Sequence, residues 1–187
     1  LYEVLSNEMK SWEVTPFFKD IFTNSGITFI QNHVKSISFK ENRLKFTDDR
    51  ELQYQYLVLC TGSTHNDFSL KGVDQYCYLF NNDNHQTKLK GFLEQPLVDS
   101  LIKDIFIIGG GPSGVELACK ISDIFQEKFK ISIIERESEI LNKNKIFNRE
   151  EAEKAIKRKN ISLLIGTQVQ EITEDKIIVL NNSNKLN

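Results

Sequence analysis

The sequence predicts an α/β fold organised on a parallel sheet, and three observations carry that expectation. Asp104 to Ile108 and Lys130 to Glu135 are short runs dominated by isoleucine, the signature of strands buried on both faces. A glycine-rich turn, Gly109-Gly110-Gly111-Pro112-Ser113-Gly114, follows the first run directly. Between turn and second run lies an amphipathic helix, with Leu117, Ala118, Ile121, Ile124 and Phe125 on one face and Glu116, Lys120, Asp123 and Glu127 on the other. Strand, turn, helix and strand in that order make a βαβ unit.

The elements before this unit read as follows. Thr15-Pro16 suits a helix start, Thr15 as N-cap and Pro16 at the first helical position, with Gly26 closing a helix over Phe17 to Asn24. Ile27 to Ile30 reads as a buried strand. Val34 to Phe39, Leu44 to Thr47 and Glu51 to Tyr54 alternate apolar and polar residues and are separated by the polar turns Lys40-Glu41-Asn42 and Asp48-Asp49-Arg50, the pattern of an antiparallel meander. Tyr56 to Ser63 is a continuous apolar run ending in Thr61-Gly62, and ligands of α/β sheets bind just beyond the carboxyl ends of such strands. Asn66 to Gln95 is polar and reads as a connection plus a short helix, with Asn81 to Asn84 its loosest part. After the βαβ unit, Glu150 to Lys159 reads as a helix and Ile161 to Ile165, Val169 to Ile172 and Lys176 to Leu180 as strands.

The glycine turn dictates a ligand. Gly109 allows a tight exit from the strand, Gly111 lets the backbone approach a pyrophosphate, and Gly114 permits close packing of helix on strand. Ser113 and Gly114 open a helix whose free N–H groups and positive dipole end face an anion, and Pro112 loses nothing there by lacking an N–H. Glu135 follows Gly114 by 21 positions, against the roughly 20 typical of the acid that binds ribose hydroxyls. The unit is therefore expected to bind a dinucleotide. Glu116, expected in the first helical turn, has two readings from spacing: a solvated acid favoured by the helix dipole, or an acid beside the nicotinamide ring.

Composition bounds the rest. The chain has 187 residues, enough for one domain or two small ones, and its 40% hydrophobic content can build a core. A net charge of −2 and an isoelectric point near 6.0 give no reason to expect nucleic acid. The densest basic cluster, Lys157 to Lys159, fits a helix end. Cys60, Cys77 and Cys119 lack metal-ligand or redox-pair spacing, so a reducing compartment and no metal are expected, with Cys60 and Cys119 as buried thiols. No apolar stretch approaches the ~20 residues of a membrane span, and no cleavable leader is apparent. The start at Leu1 and the end directly after an expected strand suggest a chain cut at both ends.

The order of meander, Leu57-Val58-Leu59-Cys60-Thr61-Gly62-Ser63, linker and glycine fingerprint resembles the flavoprotein reductases with two dinucleotide domains. Leu1 to Glu8 with Trp12 to Pro16, and Phe147 to Ala152 after Ile134 to Leu141, are similar to type II NAD(P)H dehydrogenases, particularly the cyanobacterial and plastid branch. The resemblance covers nearly the whole chain. It implies two Rossmann-like three-layer domains, the NAD(P) domain inserted in the FAD domain and both incomplete: 1–95 as part of the FAD domain and 96–187 as part of the NAD(P) domain.

Carried over position by position, the resemblance implies that Thr61 and Gly62 approach FAD and that Val34 lies near its adenine. Gly109, Gly110, Gly111, Pro112, Ser113 and Gly114 would hold the pyrophosphate of NADH or NADPH, and Glu135 its ribose. Arg136 keeps NADPH open, and Glu116 becomes the active-site acid. The implied activity is hydride transfer from NAD(P)H to FAD and on to a quinone in electron transport. A sibling reductase acting on ferredoxin, a disulfide or another small acceptor is one alternative. A non-catalytic NAD(P)H sensor is another. A first glycine fingerprint is expected before Leu1, and a part that meets quinone and membrane after Asn187, so the fragment alone is expected to be inactive. The implied setting is cytoplasmic, peripheral on the inner face of a plasma or thylakoid membrane, with a homodimer possible.

Overall fold

A computed structural model describes residues 2–62, 69–80, 83–96 and 103–181. In chain order, α1 (Tyr2–Leu5), α2 (Ser11–Val14) and α3 (Phe18–Phe22) precede β1 (Val34–Ser38), β2 (Arg43–Phe46) and β3 (Glu51–Gln53). Then follow α4 (Val73–Tyr76), α5 (Asp83–Leu93), β4 (Lys103–Ile108), α6 (Pro112–Phe125), β5 (Phe129–Ile134), α7 (Ile146–Arg158), β6 (Ser162–Leu164), β7 (Thr167–Ile172) and β8 (Ile177–Asn181). The chain divides into two units, Leu1–Ser11 with His65–Asn187, and Trp12–Thr64.

The larger unit is an α/β structure with the predicted parallel pairing. β4 lies beside β5 in parallel from Lys103↔Phe129 to Ile108↔Ile134, and β6 continues the sheet on the far side of β5. The central strand β5 is buried along nearly its whole length, and alternation divides its side chains between two faces. Phe129, Ile131 and Ile133 join Leu117, Ala118 and Ile121 of α6 and Ile156 of α7 in the main core. On the opposite face Ile134 packs with Val73, Val169 and Ile172, so the antiparallel pair β7–β8 contributes to a second, smaller cluster. α6 begins at Pro112, a start that its missing N–H suits, with Gly111 as N-cap, slightly before the Ser113-Gly114 opening expected from the sequence. α7 starts at Ile146, four residues before the expected Glu150; its N-cap, Lys145, makes no side-chain cap, so nothing local announced the start.

The smaller unit contains the predicted meander. β1 pairs with β2 and β2 with β3, all antiparallel, and Asn42 and Asp49 take positive φ in the two turns, a conformation these residues tolerate. Three elements expected in this unit take other forms. The helix over Phe17 to Asn24 is the single turn α3, because Phe17 is itself extended at φ −66° and ψ 131° and so takes the N-cap place expected of Thr15, while Thr23 leaves helical geometry at ψ 125°. Ile27 to Ile30 and the described part of Tyr56 to Ser63 form no strand, and both are exposed: Phe29 at 45%, Tyr56 at 93% and Val58 at 81%. A strand exists only through its ladder partners, and among the described residues neither segment has one. Cys60 is accordingly exposed instead of buried, whereas Cys77 and Cys119 are half-buried and burial pushes both thiols up. Ser63, Asn66 to Phe68, Asn81 and Asn82 lie outside the described residues.

Candidate functional site

The site sits where β4 ends, in the larger unit. Gly109 leaves the strand at φ +111°, a left-handed conformation that a side chain would strain, while its N–H donates to the Ile134 carbonyl at 2.9 Å and ties the turn to β5. Gly114 meets the turn so closely that a Cβ there would lie 1.9 Å from the Gly109 carbonyl oxygen. Around Gly111 the situation is opposite, since a Cβ would find nothing within 4 Å. The backbone at Gly111 therefore borders open space, directly before the helix opened by Pro112. The first amides of that helix have no acceptor earlier in it and supply the positive end of its dipole.

Glu135 closes the arrangement. One carboxylate oxygen accepts the Gly110 N–H at 2.6 Å, and the other accepts the Glu137 N–H at 2.8 Å. The backbone of Glu135 is fixed as well, its N–H donating to the Leu164 carbonyl and its own carbonyl accepting from Thr167, both at 2.9 Å. Spacing brought Glu135 to this turn but gave no hint of these contacts. It also missed why Gly110 is a glycine: a Cβ would press on Ile140 at 2.8 Å and on the Glu135 side chain at 3.1 Å.

Arg136 and Glu137 follow on the exposed rim. The Arg136 guanidinium presents Nη2 at 3.0 Å and Nε at 3.3 Å to one oxygen of Glu137. Glu116 is exposed on α6 and, as the fifth helical residue, lies past the first turn, because the helix begins earlier than its spacing suggested. Its neighbour is a residue that sequence reasoning overlooked. The Tyr2 hydroxyl donates to the Ser113 carbonyl at 3.3 Å, and its phenol is pushed up by burial first and by the nearby Glu116 carboxylate as well.

The larger unit thus brings together Gly109 to Gly114, Glu116, Glu135 and Arg136. Val34, Thr61 and Gly62 belong to the smaller unit. Val34 opens β1 opposite Phe46 and is 48% exposed, while Thr61 and Gly62 lie outside any strand, Gly62 with φ +73° and no atom within 4 Å of a Cβ. Among the described residues no three His, Cys, Asp or Glu side chains converge on a metal position, and no helix is long and apolar enough to cross a membrane.

A parallel βα turn with amides at a helix start and an acid pinned beside it defines a dinucleotide-binding unit. The pyridine nucleotide-disulphide oxidoreductase family matches residues 1–187, and the chain belongs to that family, whose cofactors are FAD and NAD(P)H. It is 35% identical over 92% of its length to the demethylphylloquinone reductase NdbB of Synechocystis, and 29% identical over 92% to the alternative NAD(P)H-ubiquinone oxidoreductase C1 of Arabidopsis thaliana. The chain spans 44% and 36% of those two relatives. An NAD-dependent persulfide reductase from A. fulgidus shares the fold at a TM-score of 0.71 and 16% identity, over 97% of this chain and 35% of that one.

Proposed function

We propose that this chain supplies the pyridine-nucleotide site of a flavin-dependent NAD(P)H dehydrogenase that reduces a quinone. One observation carries the reading: the open backbone at Gly111 next to a carboxylate held in place by two amides. The relatives named for quinone and ubiquinone reduction supply the acceptor class. The site fits a dinucleotide. The open side of Gly111 leaves the backbone approachable by a diphosphate, the amides of Ser113 and Gly114 can donate to it at the positive end of the α6 dipole, and Glu135 offers its remaining lone pairs to ribose hydroxyls.

When bound, the flavin supplies the two-electron chemistry that links the nucleotide to the acceptor. The residues of this chain bind and orient. Helix α6 fixes the diphosphate end of the nucleotide, which directs the rest of the molecule along one path. Glu116 is the acid proposed to stand beside the reacting rings, where its exposed position on α6 leaves it accessible. Val34, Thr61 and Gly62 are proposed to approach FAD, and the domain boundary is proposed at 95/96. The working location is the cytoplasmic side of a plasma or thylakoid membrane, held peripherally, with a homodimer as the assembly.

Titration of the chain with NADH, followed by nucleotide fluorescence, tests the reading. Saturable binding below millimolar concentration is the expected result, and no association up to millimolar overturns it. In the complete FAD-loaded protein, Glu116→Gln is expected to slow flavin bleaching by NADH about tenfold or more while nucleotide affinity is retained. An unchanged bleaching rate removes Glu116 from the active site.

A further inference from the structure

We propose that Glu137 sets the coenzyme preference of this site by occupying the guanidinium of Arg136, the group that would otherwise recognise the 2′-phosphate of NADPH. The inference rests on the nucleotide reading above and goes beyond it to a specificity-determining residue. Arg136 directly follows the ribose acid, the neighbourhood in which an arginine accommodates a 2′-phosphate. Guanidinium is well matched to phosphate because its planar fork delivers two parallel N–H bonds to two oxygens. Here the Nε and Nη2 donors of that fork both converge on one oxygen of Glu137, at 3.3 and 3.0 Å.

A 2′-phosphate that takes the Nε/Nη2 edge of Arg136 must displace this carboxylate, and one that takes the remaining Nη1 and Nη2 donors binds beside it, in either case between two acids, Glu135 and Glu137. NADH meets no such obstacle, since its ribose carries only hydroxyls for Glu135. Glu137 thus opposes NADPH twice, by engaging the recognising cation and by placing a second negative charge at the same rim. The side chains of the pair are 58% and 47% exposed, so the ion pair itself is weak and the discrimination modest and sensitive to salt.

The backbone of residue 137 has a separate task. Its N–H holds Glu135 at 2.8 Å, and its carbonyl accepts the Gly166 N–H at 2.8 Å. Glu137→Gln keeps both bonds and the side-chain volume while removing the charge, so it isolates the electrostatic role from the structural one.

The experiment is calorimetric titration of the 187-residue chain at low salt with NADH, NADPH, 5′-AMP and adenosine 2′,5′-bisphosphate. For Glu137→Gln the ratio of NADPH to NADH affinity is expected to rise about three- to fivefold, with the bisphosphate gaining likewise over 5′-AMP. In Arg136→Gln/Glu137→Gln that gain is expected to shrink to within about twofold of the unaltered chain, since the phosphate then has no guanidinium to meet. Binding of both coenzymes with an unmoved ratio in Glu137→Gln overturns the inference alone, as does a gain that survives the double substitution. Failure of the unaltered chain to bind any of the four nucleotides overturns the dinucleotide site itself, and the inference with it.

Discussion

Two glycines in the same turn have opposite surroundings, and alanine at each separates packing from ligand binding. Gly114→Ala would place a methyl 1.9 Å from the Gly109 carbonyl oxygen, a backbone atom held by the hydrogen bond of Gly109 to Ile134. The helix start must shift to relieve it, at a cost of about 1–3 kcal/mol typical of overpacking. Gly111→Ala meets no atom, and its φ of −75° with ψ of −179° suits any residue. Its added methyl instead enters the space proposed for the diphosphate. Thermal unfolding is therefore expected to show a lower Tm for Gly114→Ala and little change for Gly111→Ala, while NADH titration shows weakened binding for both. Undiminished affinity in Gly111→Ala would place the diphosphate elsewhere. The spacing of these glycines was legible in the sequence because their roles are local to the turn. The role of Gly110 was not, because Ile140 and the Glu135 side chain reach it only once β5 lies beside β4.

Elements were legible to the degree that their partners are near in sequence. β4, α6 and β5 follow one another with short connections, and the apolar pattern of each already contains the face that the next one covers. The Ile27 to Ile30 and Tyr56 to Ser63 segments carry equally strong strand patterns, yet a pattern states only what a strand would bury if a ladder received it. The same distinction separates two isoleucine-rich strands of the larger unit. Ile133, in central β5, is fully buried, whereas Phe106 of β4, the edge strand among the described residues, is itself 45% exposed. Ile133→Ala is expected to destabilise by about 2–5 kcal/mol, through lost burial plus the cavity left behind. Phe106→Ala at its half-exposed position is expected to cost under about half of that. Urea unfolding of the two variants checks the order, and equal losses would contradict the half-exposed setting of Phe106.

At the scale of the whole molecule the buried apolar residues are unevenly divided between the two units. Those of the larger unit form two clusters around β5, including Ile107, Ala118, Ile121, Ile133 and Ile156 in one and Ile134, Val169 and Ile172 in the other. In the unit Trp12–Thr64, Phe46 is the sole buried hydrophobic side chain among the described residues, at 6% exposure, while Trp12, Phe17 and Val58 stand 66%, 79% and 81% exposed. Hydrophobic burial at roughly 25 cal/mol per Å² is the dominant favourable term of folding, so a unit burying so little side chain has little to oppose its conformational entropy. Local opening free energies should follow this division, low in the meander and approaching the global value in the parallel sheet. Hydrogen exchange followed by mass spectrometry is expected to show amides of β4, α6 and β5 exchanging slowest, and those of β1 to β3 exchanging orders of magnitude faster. Saturating NADH should slow the sheet amides further, because a ligand that binds only the folded form adds its binding free energy to their opening cost. Meander amides protected as strongly as those of β5 would mean that the smaller unit has a source of stability beyond its own side-chain core.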